Sequence, residues 1–216
     1  MPGFRPVLRA ALLACAAAVC APASAGEDIL AVLDRSQTLR LQALTPVADD
    51  DPRAATVRAS FERLLQGAEG LAGRGVALQV VRGAITAETF HGRLVVVNAD
   101  LADLPEGERL FVLAHELGHV AQAHWVQVGD VYRKHIPDEV LQSRTDAVAA
   151  LLGREMSALS HQHELAADAY ALRMLQRLGY GLDVALATFT RHGLQFDTAT
   201  HPGTRKRVAS LRAVAP

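Results

Sequence analysis

The sequence predicts an α+β fold, predominantly helical, with one small β-sheet ahead of a buried helix. Three observations predict it. Apolar residues recur at helical spacing along most of the 216 residues. Valine- and leucine-rich runs that read as strands occur only between about residues 76 and 97. The segment after them, with Leu110, Phe111, Val112, Leu113, Leu117 and Val120, is apolar around a few polar residues, as a largely buried helix requires.

Taken in order, Asp28 to Leu44 reads as an amphipathic helix with Ile29, Leu30, Val32, Leu33, Leu39 and Leu41 on its apolar positions. Thr45 to Asp51 reads as a polar turn. Asp51-Pro52 then starts a helix, a capping acid followed by proline at the first helical position, and the helix runs to about Gly67. Gly67, Gly70, Gly73 and Gly75 interrupt the chain. Val76–Val81 and Arg93–Val97 read as strands, with Ala84–Phe90 a third. Asn98 to Gly107 is a loop, and Glu106 and Glu108 suit the positive end of the helix that follows, which should continue to about Val126. Gly129 to Pro137 reads as a loop, and Asp138–Gly153 and Ser157–Leu178 as two helices, the second closed by Gly179. Leu182–His192, closed by Gly193, and Thr204–Val214 complete the helices. There is no internal repeat.

The first 25 residues read as a secretory signal. Arg5 and Arg9 give the positive region, Ala10 to Cys20 the apolar stretch, and Ala23-Ser24-Ala25 a small-residue cleavage site before Gly26. The apolar stretch is too short for a membrane span, and no later segment reaches 18 uncharged apolar residues. The expected product is therefore exported, periplasmic, and without a transmembrane helix. Both cysteines, Cys15 and Cys20, fall inside the signal, so residues 26–216 have neither disulfides nor thiolate ligands. Leu12-Leu13-Ala14-Cys15 loosely resembles a lipobox, and a lipid anchor at Cys15 is the alternative expectation. The formal charge of −1 excludes a general nucleic-acid binder, which shows a basic excess. Without Arg5 and Arg9, 20 basic residues face 23 acidic ones, a net −3.

The buried helix carries His115-Glu116-Leu117-Gly118-His119, an H-E-x-x-H run. Histidines four apart lie on one helix face, one turn apart, so both imidazoles reach one ion. Glu116 then stands beside it as a base. Two histidines and a glutamate on a buried helix need partners, and a metal supplies one. The pattern is that of a zinc hydrolase.

Such a site needs a third protein ligand. The extended form of the motif would place glycine at 122 and histidine at 125, where this chain has Gln122 and Trp125. His124 is off by one, at a different angle on the helix from His119, and reads as a helix-end histidine. A glutamate from a separate helix remains. Glu164 opens Glu164-Leu165-Ala166-Ala167-Asp168, with the two carboxylates at i and i+4 on one face. One carboxylate can bind the metal while the other accepts the N–H of a ligating histidine. His161 and His163, near the start of the same helix, are the rival ligands.

Leu113 to Val120, Glu164 to Asp168, Gly179-Tyr180, and Thr200-His201-Pro202 with Arg207 six residues after His201 occur in that order. Together they resemble the HtpX-like gluzincin metallopeptidases, the family that includes the CAAX prenyl endopeptidases, over roughly residues 76 to 213. The resemblance implies a zincin-like metallopeptidase domain holding one zinc ion per chain on His115, His119 and Glu164. It implies Glu116 as general base, Asp168 as support for a ligand, and His201 as a group that stabilises the tetrahedral intermediate. Residues 26–216 would form a single domain, with a helical part at about 27–67 and a catalytic core at about 76–213. The chain departs from the family in two respects. Membrane helices common in many members are absent, and Arg93–Val97 lacks the usual Asn-Ala-Phe lead-in.

The expected function is zinc-dependent endopeptidase action on exported proteins, in envelope protein quality control, with protein or peptide as substrate. The substrate would lie extended against the Val95–Asn98 strand at the sheet edge. The alternative expectation is a zinc-stabilised, chaperone-like binding module without proteolysis. The intact Glu116 argues against it, since a binder has no need of a base.

Overall fold

A computed structural model describes residues 27–215 apart from 69, 72, 138 and 192. The expected signal segment, with Cys15 and Cys20, lies outside the described residues. The first helix, α1, spans Ile29–Gln42. Thr45–Pro46 does not stay a polar turn but forms a short strand, β1. The helix α2 (Pro52–Gly67) begins where the sequence places it: the Asp51 side chain accepts from Arg53 N at 2.8 Å, and Pro52 occupies the first turn.

Strands β2 (Ala77–Arg82), β3 (Ala87–Phe90) and β4 (Leu94–Asn98) complete a four-stranded mixed sheet in the order β1-β2-β4-β3. β2 and β4 run parallel, with Val80 opposite Val97, and β3 runs antiparallel to β4, with Thr89 opposite Val95. Val95, Val96 and Val97 are all fully buried, which explains the unbroken valine run. The expectation that Val95–Asn98 offers a free edge is therefore corrected. β4 is paired on both sides, and the edge strands are β1 and β3, of which β3 lies beside β4.

A 3-10 turn, Ala99–Asp103, leads to α3 (Glu106–Ala121). Then come α4 (His124–His135), α5 (Gln142–Arg177), α6 (Leu182–Arg191) and α7 (Thr204–Val214). Two expectations fail in this half. The motif helix stops at Ala121 because Ala123 takes the left-handed conformation (φ 54°, ψ 39°), and the chain restarts as α4 through the region expected to be a loop. The two helices expected over Asp138–Gly153 and Ser157–Leu178 are one helix of 36 residues. Gly153 costs about 1 kcal/mol relative to alanine within a helix, which does not break it. The N-terminal half of α5 is held by a satellite apolar cluster of Ile29, Ile136 and Leu152. Among the described residues, no helix is long and apolar enough to cross a membrane.

The main core joins α2, the inner face of the sheet, α3 and the C-terminal half of α5, through residues such as Val57, Leu64, Val97, Leu113, Leu117 and Leu175. At Gly118 the backbone of α5 lies directly against α3. A Cβ there would lie 3.0 Å from Ala167 Cα and 3.2 Å from its carbonyl oxygen, both rigid backbone. Replacing Gly118 by valine is expected to lower the unfolding free energy by ~1–3 kcal/mol. Gly153, with open space around the same atom, is expected to gain about 0.5–1 kcal/mol as alanine. Denaturant titration of both variants checks the contrast. A G118V variant as stable as the parent would contradict the close approach.

Candidate metal centre

The close approach at Gly118 sets the face of α3 that carries His115 and His119 against the face of α5 that carries Glu164 and Asp168. His115 Nε2 and His119 Nε2 are 3.1 Å apart. Glu164 Oε2 lies 3.6 Å from His115 Nε2, and Oε1 lies 3.4 Å from His119 Nε2. One ligand atom from each residue falls within 4.8 Å of the others. Ligands about 2.0–2.1 Å from a tetrahedral zinc stand about 3.3 Å from one another. The three donors thus fit such an ion in chemistry and in spacing. The structure brings together the three residues the sequence nominated, and among the described residues no other group of this kind occurs.

Behind these donors stands a charged network. His115 Nδ1 faces Asp168 Oδ1 at 2.9 Å. Asp168, fully buried, also receives Arg207 Nε on Oδ2 at 2.7 Å and Arg207 Nη2 on Oδ1 at 2.5 Å. Arg207 Nη1 lies 3.3 Å from Glu164 Oε2, and its guanidinium lies over the Phe189 ring at 4.7 Å. Burial opposes charge on all these groups, but their pairing overrides it. Glu164 and then Asp168 raise the His115 imidazole to about 10. His115, then His119 and Arg207, hold the Glu164 carboxyl well below the usual carboxylate range, and Arg207 with His115 lowers that of Asp168. The sequence placed Arg207 only as part of a C-terminal pattern. Its part as the clamp on Asp168 needs the fold, because the two residues lie 39 apart in the chain.

Glu116 occupies the cleft side of α3. Its Oε2 accepts from Thr89 Oγ1 at 2.9 Å, and its carbonyl oxygen lies 3.0 Å from the same hydroxyl, so the edge strand β3 touches this carboxylate directly. His201 is largely exposed on the loop between α6 and α7, with Nε2 3.9 Å from Glu164 Oε1 and Nδ1 2.8 Å from Thr200 Oγ1. Both side chains line an open cleft of about 940 Å³, together with Val112, Phe189 and Phe196. The rival histidines turn elsewhere. His161 Nε2 donates to the Thr198 carbonyl at 2.8 Å. The His163 ring stacks on His124 at 3.8 Å and 6°, with its Nε2 3.1 Å from Gln127 Oε1. His124 does stand at a helix end, as the first residue of α4, but it does not turn away from His119 as the spacing suggests. It is buried, with Nδ1 2.9 Å from His119 Nδ1. Burial and then the neighbouring His119 push His124 down to about 3 and His163 to about 4, so both rings are neutral.

The profile of peptidase family M48 matches residues 52–215. No curated protein matches the chain in sequence. Among solved structures, the fold is similar to that of Ste24p from S. mikatae, with a TM-score of 0.52 and 18% identity. The similarity covers 84% of this chain and 56% of that one, so the chain spans little more than half of that protein.

Metal binding must release a proton. In the metal-free protein His115 stays charged up to about pH 10, whereas a ligand presents a bare nitrogen. Its raised value means that the charged cluster stabilises the metal-free fold at neutral pH and weakens as pH rises through about 10. Loading is therefore expected to release roughly one proton per ion near neutrality, with apparent affinity rising about tenfold per pH unit from 6.5 to 8. Calorimetry in buffers of different ionisation heats measures this, and loading without proton release would contradict the network.

Proposed function

The chain belongs to peptidase family M48, and on that premise we propose that it is a zinc-dependent endopeptidase that cleaves exported proteins in envelope quality control. The observation that carries the reading is the convergence of His115, His119 and Glu164 on one point, with Glu116 beside it. His115, His119 and Glu164 would hold the ion. Zinc bound there would supply Lewis-acid polarisation of the scissile carbonyl and lower the pKa of water toward neutrality.

The remaining steps fall to the chain's own side chains. Glu116 takes the proton of the attacking water and returns it to the leaving amine. The Thr89 hydroxyl holds the Glu116 carboxylate toward the cleft. Asp168 and Arg207 fix His115 so that its Nε2 faces the centre. His201, at the rim, donates to the oxygen on which negative charge develops.

Substrate chains would add as a strand to the open side of β3, where main-chain groups pair regardless of side-chain identity. That mode suits unfolded segments of many proteins. The leader-like residues 1–25 support an exported, periplasmic setting.

Glu116→Gln is expected to retain zinc while cleavage falls by about 10²–10⁴-fold. Metal analysis with a turnover assay checks both halves, and full activity in the variant would remove the mechanism. Unfolded casein is expected to be cut, with chelator abolishing the reaction, while a tightly folded globular protein stays intact. Equal cleavage of both would contradict recognition by strand addition, and zinc-loaded protein that binds casein without cutting it would favour a chaperone-like module.

A further inference from the structure

We propose that His124 is a positioning residue, accepting the Nδ1 proton of His119 and so fixing the tautomer and the angle at which His119 presents Nε2. The inference rests on the zinc reading above. His119 turns Nε2 toward His115 and Glu164, at 3.1 and 3.4 Å. Its other nitrogen faces His124 Nδ1 at 2.9 Å. Two facing ring nitrogens at that separation share one proton. A histidine that ligates through Nε2 carries its remaining proton on Nδ1, so His119 donates and His124 accepts.

The surroundings hold His124 to this task. On an uninterrupted helix, a residue five positions on lies about 140° around the axis and would face away from His119. The left-handed backbone at Ala123 breaks the helix and swings His124 back. For a residue with a side chain, that conformation costs roughly 1–2 kcal/mol. The returned ring meets the His119 ring edge to face, with centroids 4.9 Å apart, and its own face lies flat on His163. Gln127 Oε1 in turn accepts from His163 Nε2 at 3.1 Å.

The two ligating histidines are thus supported unequally. His115 is backed by the buried carboxylate of Asp168, whereas His119 is backed by an imidazole. A carboxylate partner makes an imidazole ligand more basic. The imidazole partner fixes orientation without adding a second negative charge behind the centre.

The test uses the chain from Gly26 onward, loaded with zinc or with cobalt(II). His124→Phe keeps a flat ring against His163 but offers no acceptor, whereas His124→Asn offers a carbonyl oxygen. Competition with a chelator is expected to show zinc affinity lowered about 10–100-fold in H124F and largely restored in H124N. The cobalt(II) absorption bands should shift in H124F and return in H124N. Affinity and bands unchanged in H124F, or equally disturbed in both variants, would overturn the proposal. Nitrogen NMR of the zinc-loaded parent decides the matter even where H124F fails to fold. A proton on His119 Nδ1 with a bare His124 Nδ1 supports the proposal, and a proton on His124 Nδ1 overturns it. A parent chain that binds no zinc would instead remove the zinc reading itself.

Discussion

Everything at the candidate site depends on how closely α3 can approach α5. The absence of a side chain at Gly118 lets the backbone of Ala167 lie against the motif helix. That contact places a pair of histidines one turn apart opposite a pair of carboxylates one turn apart. Either pair alone is only an amphipathic pattern. Brought together, they make a three-donor cluster with a charged support behind it.

The cost of that arrangement is electrostatic. Glu164 and Asp168 are buried beside each other, and buried like charges are tolerated only with close counter-charges and hydrogen bonds. Arg207 supplies one, bridging to Asp168 with two nitrogens and standing near Glu164 with the third. The His115 imidazole supplies a second at neutral pH, and a divalent ion would take that place once His115 gives up its proton. α7, far from the motif in sequence, is therefore part of the site. Its arginine holds the carboxylate that holds the first histidine.

Much of this was legible in the sequence wherever a residue acts through its neighbours on one helix. The i, i+4 spacing gave His115 with His119 and Glu164 with Asp168, and the valine-rich runs gave the sheet. What depended on backbone conformation or on distant pairing was not. Ala123 is a good helix former by propensity, so nothing in the pattern marks its left-handed turn, and His124 was left facing the wrong way. Gly153 reads as a stop, yet α5 runs through it, since one glycine cannot outweigh a long helix anchored at both ends. The central position of β4 follows from the crossover that pairs it with β2 in parallel, which no local alternation reveals. Thr89 carried no signal either; its contact with Glu116 exists only because β3 packs on α3.

The most direct test of the account is anomalous diffraction at the zinc edge from crystals of the zinc-loaded chain. A zinc centre on these donors gives one strong peak bounded by His115 Nε2, His119 Nε2 and a Glu164 carboxylate oxygen, with Glu116 close by but not bound. A stoichiometric ion held elsewhere, or a peak that lacks Glu164, would contradict it.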